Sequence, residues 1–181
     1  AFGSLDQIVS TMTTPTTFMK VMLQKYVPTS HVIGRWYDTS LWNGIPVAGV
    51  YTGVALNATQ KTDSSTGAVY HGGNVATAEK RILNAGIFHH VGPATYCLVD
   101  ILMYYPTISM NSAAQQNMVN GVALPRYANG KGVRAFMVIT ATAGATGHAL
   151  TVSYTNDQGV AGQTLPVNVA CTSGAVAQHI T

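Results

Sequence analysis

Charged side chains are unusually scarce in this chain of 181 residues. It contains nine Lys or Arg and six Asp or Glu, or 8% of the sequence, whereas 47% of its residues are hydrophobic. Soluble proteins average about 25% charged residues, and charge keeps free proteins apart in solution. A fold built from this chain cannot cover its surface with ions, so we expect much of that surface to be buried against copies of the chain or against other proteins.

Length and charge balance argue against several classes of partner. At 19.0 kDa the chain fits one ordinary domain. Its net charge of +3 reflects few acids rather than many bases, and Lys80-Arg81 is the only adjacent basic pair, so we expect no specific nucleic-acid partner. Residues 1–20 lack the pattern of a signal peptide, and the longest apolar run, from Tyr96 to Tyr105, is too short to span a bilayer. We therefore expect no membrane partner.

The N-terminus has a helical pattern. Ser4 and Gln7 form a capping-box motif, and the apolar residues that follow fall on one helix face: Leu5, Ile8, Val9 and Met12. After Pro15 the stripe continues through Phe18, Met19, Met22, Leu23 and Tyr26, and Pro28 ends it. The sequence predicts a helical arm over residues 1–28 and a β-rich domain over residues 29–181. The arm either packs on its own domain or reaches a neighbouring subunit, and in the second case Leu5, Met12, Phe18 and Met22 are candidate interface residues.

Strand patterns dominate the rest of the chain. Val47–Leu56, Thr95–Tyr105 and Val133–Thr140 are rich in β-branched and aromatic residues. Alternating apolar residues at 150, 152 and 154 and at 165, 167 and 169 flank a turn over residues 156–159. A short helix is predicted between Asn74 and Gly86. We predict a mainly β fold, an antiparallel β-sandwich or barrel with an N-terminal helical segment and one or two short helices.

No recognised catalytic or metal-binding constellation is present. The histidines have no Cys or carboxylate at ligand spacing, and the adjacent His89 and His90 would point to opposite faces of a strand. Nucleophile-elbow and phosphate-loop motifs are missing. Cys97 and Cys171 are predicted to be buried free thiols, with a disulfide as the alternative. We expect no catalytic residue, no cofactor and no metal.

Asp100 lies inside an apolar run. A carboxylate buried there would need a partner, and Arg126 and Arg134 are the candidates, which would make all three buried structural polar residues. The alternative is a catalytic acid with a raised pKa.

Three aromatic residues lie close together in the sequence. Trp36, Tyr37 and Trp42 are candidate interface residues, since aromatic side chains dominate protein interfaces and also stack on sugar rings. Packing in the core is the alternative.

Several blocks of sequence resemble structural proteins encoded in the head-gene regions of tailed bacteriophages. These blocks are Tyr70–Val75, Leu98–Leu102, Val122–Tyr127 followed by Gly130–Phe136, and Tyr154–Gly162 before Leu165-Pro166. The resemblance covers roughly residues 65–170, and the first sixty residues match only loosely. It implies a virion component, a cement or decoration protein whose partners are the major capsid protein and copies of itself.

The function that we expect is therefore non-enzymatic. The chain would pack on a phage capsid shell and stabilise it, in a virion assembled in the host cytoplasm. Two alternatives belong to other classes: a host-glycan-binding module of a phage tail or head fibre that uses Trp36 and Trp42, and a hydrolase that uses Asp100 and a histidine.

Overall fold

The computed structural model describes residues 4–13, 21–28, 34–62, 65–70, 82, 85–86, 95–141, 148–164, 169–171 and 179–180. The chain divides into two compact units, Ala1–Val21 with Tyr70–Ile101, and Met22–Val69 with Leu102–Thr181. The predicted separation of an arm (residues 1–28) from a β-rich domain (residues 29–181) stays a prediction.

Helix α1 spans Leu5–Thr13 in the first unit. Its N-cap is the predicted one, because the Ser4 Oγ accepts a hydrogen bond from the Gln7 N–H over 3.2 Å. Asp6 in the first turn adds a favourable interaction with the positive end of the helix dipole. Two apolar side chains of the helix are open to solvent, since Leu5 is 74% exposed and Val9 is 53% exposed.

Strands in the described residues are short and pair in antiparallel two-stranded sheets. The first five are β1 (Gln24–Lys25), β2 (Gly44–Ile45), β3 (Thr59–Gln60), β4 (Met103–Tyr104) and β5 (Met137–Val138). Five more follow: β6 (His148–Leu150), β7 (Ser153–Tyr154), β8 (Gln163–Thr164), β9 (Val169–Cys171) and β10 (His179–Ile180). The pairs are β1 with β2, β3 with β4, β5 with β10, β6 with β9, and β7 with β8. The described residues are thus mostly strand and irregular chain with little helix, and their strands form no closed barrel.

The predicted helical stripe through Met22, Leu23 and Tyr26 is wrong. Residues 21–28 are extended or irregular, and β1 pairs with β2 in the register Gln24 opposite Ile45 and Lys25 opposite Gly44. Gly44 permits this pairing, because a Cβ atom there would overlap the Gln24 carbonyl oxygen. A tertiary pairing has overridden the helical spacing of the apolar residues.

Two predicted strands are much shorter than expected, and a third is absent. Within Thr95–Tyr105 only β4 is a strand, and within Val47–Leu56 the chain forms no strand. Val133–Thr140 contains β5 alone. In the 47–56 segment the backbone bends around Lys61, whose side chain binds the Val50 carbonyl oxygen, so the segment is a loop rather than part of a ladder.

The predicted C-terminal turn over residues 156–159 is present, but the strand that follows it, β8, lies before the predicted residues 165, 167 and 169. The Asn156 Oδ1 accepts hydrogen bonds from the N–H groups of Gln158 and Val160, and the Gly159 N–H donates to the Asn156 carbonyl oxygen over 3.0 Å. This turn connects β7 to β8, and farther from it β6 pairs with β9. Residues 165–168, which include Pro166, lie outside the described residues, as does the predicted helix apart from residues 82 and 85–86.

The core of the described residues is small. Trp42, Ala58, Leu102 and Ile139 are the buried hydrophobic residues. Ala58 and Leu102 belong to the segment in which β3 pairs with β4, and the Ala58 N–H also donates to the Val119 carbonyl oxygen over 2.9 Å. Most large apolar side chains in the described part of the chain are therefore not in a core.

Candidate functional site

One side of the β1–β2 ribbon is an exposed, uncharged surface. Cross-strand partners lie on the same side of a sheet, as do residues two apart on one strand, so this side contains Gln24 with Ile45 and also Met22 and Tyr26. The Tyr26 N–H donates to the Asn43 carbonyl oxygen over 2.9 Å, which extends the pairing by one residue. We call these five residues the ribbon face: Met22, Gln24, Tyr26, Asn43 and Ile45.

Every side chain of the ribbon face is exposed. The exposed fractions of Met22, Tyr26 and Ile45 are 64%, 62% and 53%. The Gln24 amide donates to the Tyr26 hydroxyl over 3.3 Å, which confirms that these two side chains share a side. Tyrosine and methionine, which both occur on this face, are enriched at protein interfaces.

The other side of the ribbon is fixed to its own unit by Lys25. The Lys25 ammonium donates to the carbonyl oxygen of Trp42 over 3.0 Å and to that of Pro46 over 2.5 Å. Partial burial lowers the pKa of Lys25, and the negative charge of Asp38 opposes this shift. Lys25 thereby joins β1 to the backbone at both ends of the 42–46 segment.

A carboxylate organises the segment that follows. Asp38 is the N-cap of a short 3-10 helix, Thr39–Leu41, and its Oδ1 accepts a hydrogen bond from the Ser40 N–H over 2.9 Å. Its Oδ2 accepts a hydrogen bond from the Tyr51 hydroxyl over 2.6 Å. Burial raises the pKa of Tyr51 well above its usual range, and the hydrogen bond to Asp38 and its charge add to the effect. The phenol is therefore held in its protonated, donating form.

Lys61 extends this network through two aromatic rings. Its ammonium lies 4.9 Å from the ring centre of Tyr51 and 5.5 Å from that of Tyr104, and these two rings meet edge to face at 4.9 Å. The same ammonium donates to the carbonyl oxygens of Val50 and Thr66 over 3.3 Å and 3.2 Å. Partial burial lowers the pKa of Lys61, opposed by the charge of Asp38.

These polar groups bind one another and the backbone of their own unit. Asp38, Tyr51, Lys61 and Tyr104 connect the 3-10 helix, the 47–56 loop, β3 and β4. Tyr104 also donates from its hydroxyl to the Thr52 carbonyl oxygen over 2.8 Å. The arrangement fixes the 47–56 loop to the residues of and next to β3 and β4.

The candidate interface residues have different positions. Leu5, Met22 and Trp36 are 74%, 64% and 47% exposed, and Tyr37 is half-buried. Phe18 and the side chain of Met12 lie outside the described residues. Trp42 is 5% exposed and its ring lies 6.2 Å from that of Tyr37, so it packs in the core instead of forming an exposed contact. The structure thus places Met22, but not Trp42, on an open surface.

The prediction that Asp100, Arg126 and Arg134 are buried is wrong. All three side chains are exposed, because the segments around them are irregular rather than a doubly covered strand. Beside Asp100, Leu98 and Val99 are 74% and 53% exposed. Nothing in this geometry makes Asp100 a desolvated carboxylate.

The structure describes the side chain of Cys97 but not that of Cys171. Cys97 is a free thiol as predicted, but it is exposed instead of buried. The backbone of Cys171 belongs to β9, whereas its side chain lies outside the described residues, so its predicted burial stays a prediction.

All six histidine side chains lie outside the described residues, so the prediction that they bind no metal stays a prediction. Among the residues that are described, no group of three His, Cys, Asp or Glu side chains could hold an ion. No helix in the described ranges combines the length and the hydrophobicity needed to cross a membrane.

The sequence does not predict the network of Asp38, Tyr51, Lys61 and Tyr104. These residues are far apart in the chain and have no motif spacing. One local signal exists, since Asp followed by Thr-Ser at residues 38–40 is typical of a helix N-terminus. Comparisons with protein-family models, with curated proteins and with solved structures found no match to this chain.

Proposed function

We propose that this chain is a non-enzymatic structural subunit of a bacteriophage virion, which packs on the capsid shell and stabilises it as a cement or decoration protein. The observation that supports this most directly is the exposure of its apolar side chains. Among the described residues, the large hydrophobic side chains with high exposure far outnumber the four that are buried in the core. Monomeric proteins rarely expose large contiguous apolar patches, whereas assembly subunits do.

The mechanism that we propose is burial of this surface between molecules. Each copy would cover part of the major capsid protein and of neighbouring copies of itself. Apolar area removed from water contributes about 25 cal/mol per Å², of which only part remains as net affinity after the costs of association. Repetition of the contact over a symmetric lattice adds avidity without any need for ion pairs.

The finer features of the fold belong to the same proposal. Paired antiparallel strands and outward apolar side chains suit a β-sandwich whose open faces are covered in the assembled virion. The exposed apolar side chains of α1 suit an arm that reaches a neighbouring subunit. The resemblance of residues 65–170 to phage head proteins is the reason for choosing a capsid over another assembly.

A host-glycan-binding module is less well supported. Such a module would stack sugar rings on exposed aromatic side chains, and the sequence offers Trp36 and Trp42. The burial of Trp42 removes one of the two platforms, since a ring that is 5% exposed cannot stack on a saccharide.

The deciding experiment is fractionation of purified phage particles followed by quantitative mass spectrometry of each fraction. We expect the chain to cofractionate with the head shell in hundreds of copies per particle. A dozen or fewer copies, found with the neck or tail, would contradict the cement role, and absence from the particle would end the virion proposal. Mock-infected lysate taken through the same gradient is the control for contamination.

A further inference from the structure

We propose that the ribbon face is a homotypic interface, at which two copies of the chain meet around a two-fold axis. The inference rests on the proposed function and names the surface by which copies of the subunit bind each other. The occupant of the face is a second copy of this chain. Three properties of the face support that choice.

The first property is the absence of charge from the ribbon face. Met22, Gln24, Tyr26, Asn43 and Ile45 are all neutral, and the nearby ammonium of Lys25 is bound on the opposite side of the ribbon. A partner rich in charge would lose the hydration of its ions against this face without gaining ion pairs. A partner surface without charges avoids this cost. A second copy of this chain, in which 8% of the residues are charged, has such a surface.

The second property is area. Taking the exposed fractions of its side chains, the ribbon face offers roughly 500 Å². Val47, an exposed apolar residue close to Ile45 in the chain, is 64% exposed. It raises the total to roughly 600 Å², which is the lower bound of what each partner contributes to a stable interface.

The third property is self-complementarity. Gln24 and Tyr26 form a hydrogen-bonded pair at the centre of the face. An amide and a hydroxyl each contain both a donor and an acceptor. A two-fold axis through this pair can therefore place each donor of one copy opposite an acceptor of the other, with Met22 and Ile45 packing around them. Interfaces of this isologous type are the commonest in homo-oligomers.

The test uses the full chain and charge reversal at Ile45, which is 53% exposed. Sedimentation velocity between about 1 and 100 µM measures association of the wild type, of Ile45→Glu and of Ile45→Lys. We expect the wild type to associate and each variant alone to bind itself at least tenfold more weakly, since like charges would meet across the axis. An equimolar mixture of the two variants restores association, because the charges are then opposite.

The matched control is Val160→Glu, which places the same charge on another exposed valine, 49% exposed, beside the C-terminal hairpin turn. Near-ultraviolet circular dichroism of the aromatic side chains, which include the buried Trp42, checks that each variant is folded. Should the Ile45 variants unfold, Tyr26→Asp and Tyr26→Arg form an equivalent pair on the same face.

Three outcomes overturn the inference: a monomeric wild type at about 100 µM, association that survives charge reversal on the ribbon face, and a mixture that does not restore association. The last outcome would mean that the face binds a different surface, such as the capsid protein. Particle fractionation of the Ile45→Glu variant separates this inference from the proposed function. A variant that no longer self-associates but stays on the head supports both, whereas failure of the wild type to cofractionate refutes the virion role alone.

Discussion

Gly67 approaches Gly49 so closely that a Cβ atom on Gly67 would overlap the Gly49 Cα atom and lie 2.6 Å from its nitrogen. Gly67 also has a φ of 81°, in the left-handed region that favours glycine. The contact joins the start of the 47–56 loop to the turn that follows β3. It holds together the two backbone segments that Lys61 bridges through the carbonyl oxygens of Val50 and Thr66.

The first prediction concerns this contact. Gly67→Ala adds a methyl group where only backbone atoms are near, so the segments must separate. We expect a loss of about 2–4 kcal/mol in the free energy of unfolding, measured by urea titration of tryptophan fluorescence.

The control for this prediction is Gly159→Ala. Gly159 has a φ of 80°, almost the same backbone conformation, but a Cβ atom there would have nothing within 4 Å. Gly159→Ala should therefore lower the free energy of unfolding only by the strain of the left-handed backbone conformation, about 1 kcal/mol. Equal losses for the two variants would show that the close approach of Gly67 to Gly49 adds nothing.

The second prediction concerns alkaline pH and Tyr51. The pKa of Tyr51 is raised in the folded protein above the ordinary value of 10.0, so above about pH 10 the unfolded chain loses a proton that the native state keeps. The stability that this proton provides is complete below about pH 10 and falls as the pH rises further, by at most about 1.4 kcal/mol per pH unit for one proton. Urea titrations between about pH 9 and 11 measure the slope.

Tyr51→Phe is the comparison, since it removes the titrating hydroxyl and should flatten the slope above about pH 10. Lys25 and Lys61 act in the opposite sense, because their lowered pKa values make the native state release protons first. Above pH 10.5, the ordinary pKa of lysine, the two lysines no longer change the stability as the pH rises. If Tyr51→Phe leaves the slope of the unfolding free energy against pH unchanged, the loss of stability above about pH 10 does not come from Tyr51.

The third prediction concerns the Lys61 ammonium. Lys61→Met keeps the approximate length of the side chain but removes the hydrogen bonds to two carbonyl oxygens and the contact of a cation with two rings. Because the site is only partly buried, we expect a loss of about 1 kcal/mol in the free energy of unfolding. Lys131→Met, at an exposed lysine, is the matched control and should change stability by less than about 0.5 kcal/mol.

The fourth prediction concerns salt. Contacts made by apolar and neutral polar side chains have few charges to screen, so attachment to the shell should resist ionic strength. We expect the fraction of the chain that remains on purified particles to be the same at about 0.1 and 1 M NaCl. Release at the higher concentration would indicate that ion pairs provide the binding.

Short-range signals in the sequence predict local structure well. The Ser4 cap of α1 and the Asn156 turn each depend on hydrogen bonds between residues at most four positions apart. The interactions form wherever the chain places those residues, so one sequence contains the information needed to predict them.

Long-range structure is harder to predict. Met22 and Tyr26 have the spacing of a helix face, but residues 24 and 25 pair with residues 44 and 45. The sequence does not contain a local signal for that pairing, and strand preference depends on the partner. The same reason explains the error at Asp100, whose burial was inferred from apolar neighbours that are themselves exposed.

The candidate site is predictable only in part. Met22 belongs to the ribbon face, and the scarcity of charge indicates that open apolar surface should exist. The location of that surface does not follow from the sequence, because it depends on the pairing of β1 with β2 and on Lys25, which binds the carbonyl oxygens of Trp42 and Pro46. An internal hydrogen bond of this kind has no recognisable pattern in a single sequence.

The order of the network along the chain affects how the protein forms during translation. Asp38, Tyr51, Lys61 and Gly67 all precede Tyr104 in the chain and are therefore synthesised before it. The nascent segment can close its loop on the lysine ammonium with the first ring alone. Strand β4 then adds the second ring, so a chain that ends before residue 102 lacks both the pairing of β3 with β4 and the contact of Lys61 with Tyr104.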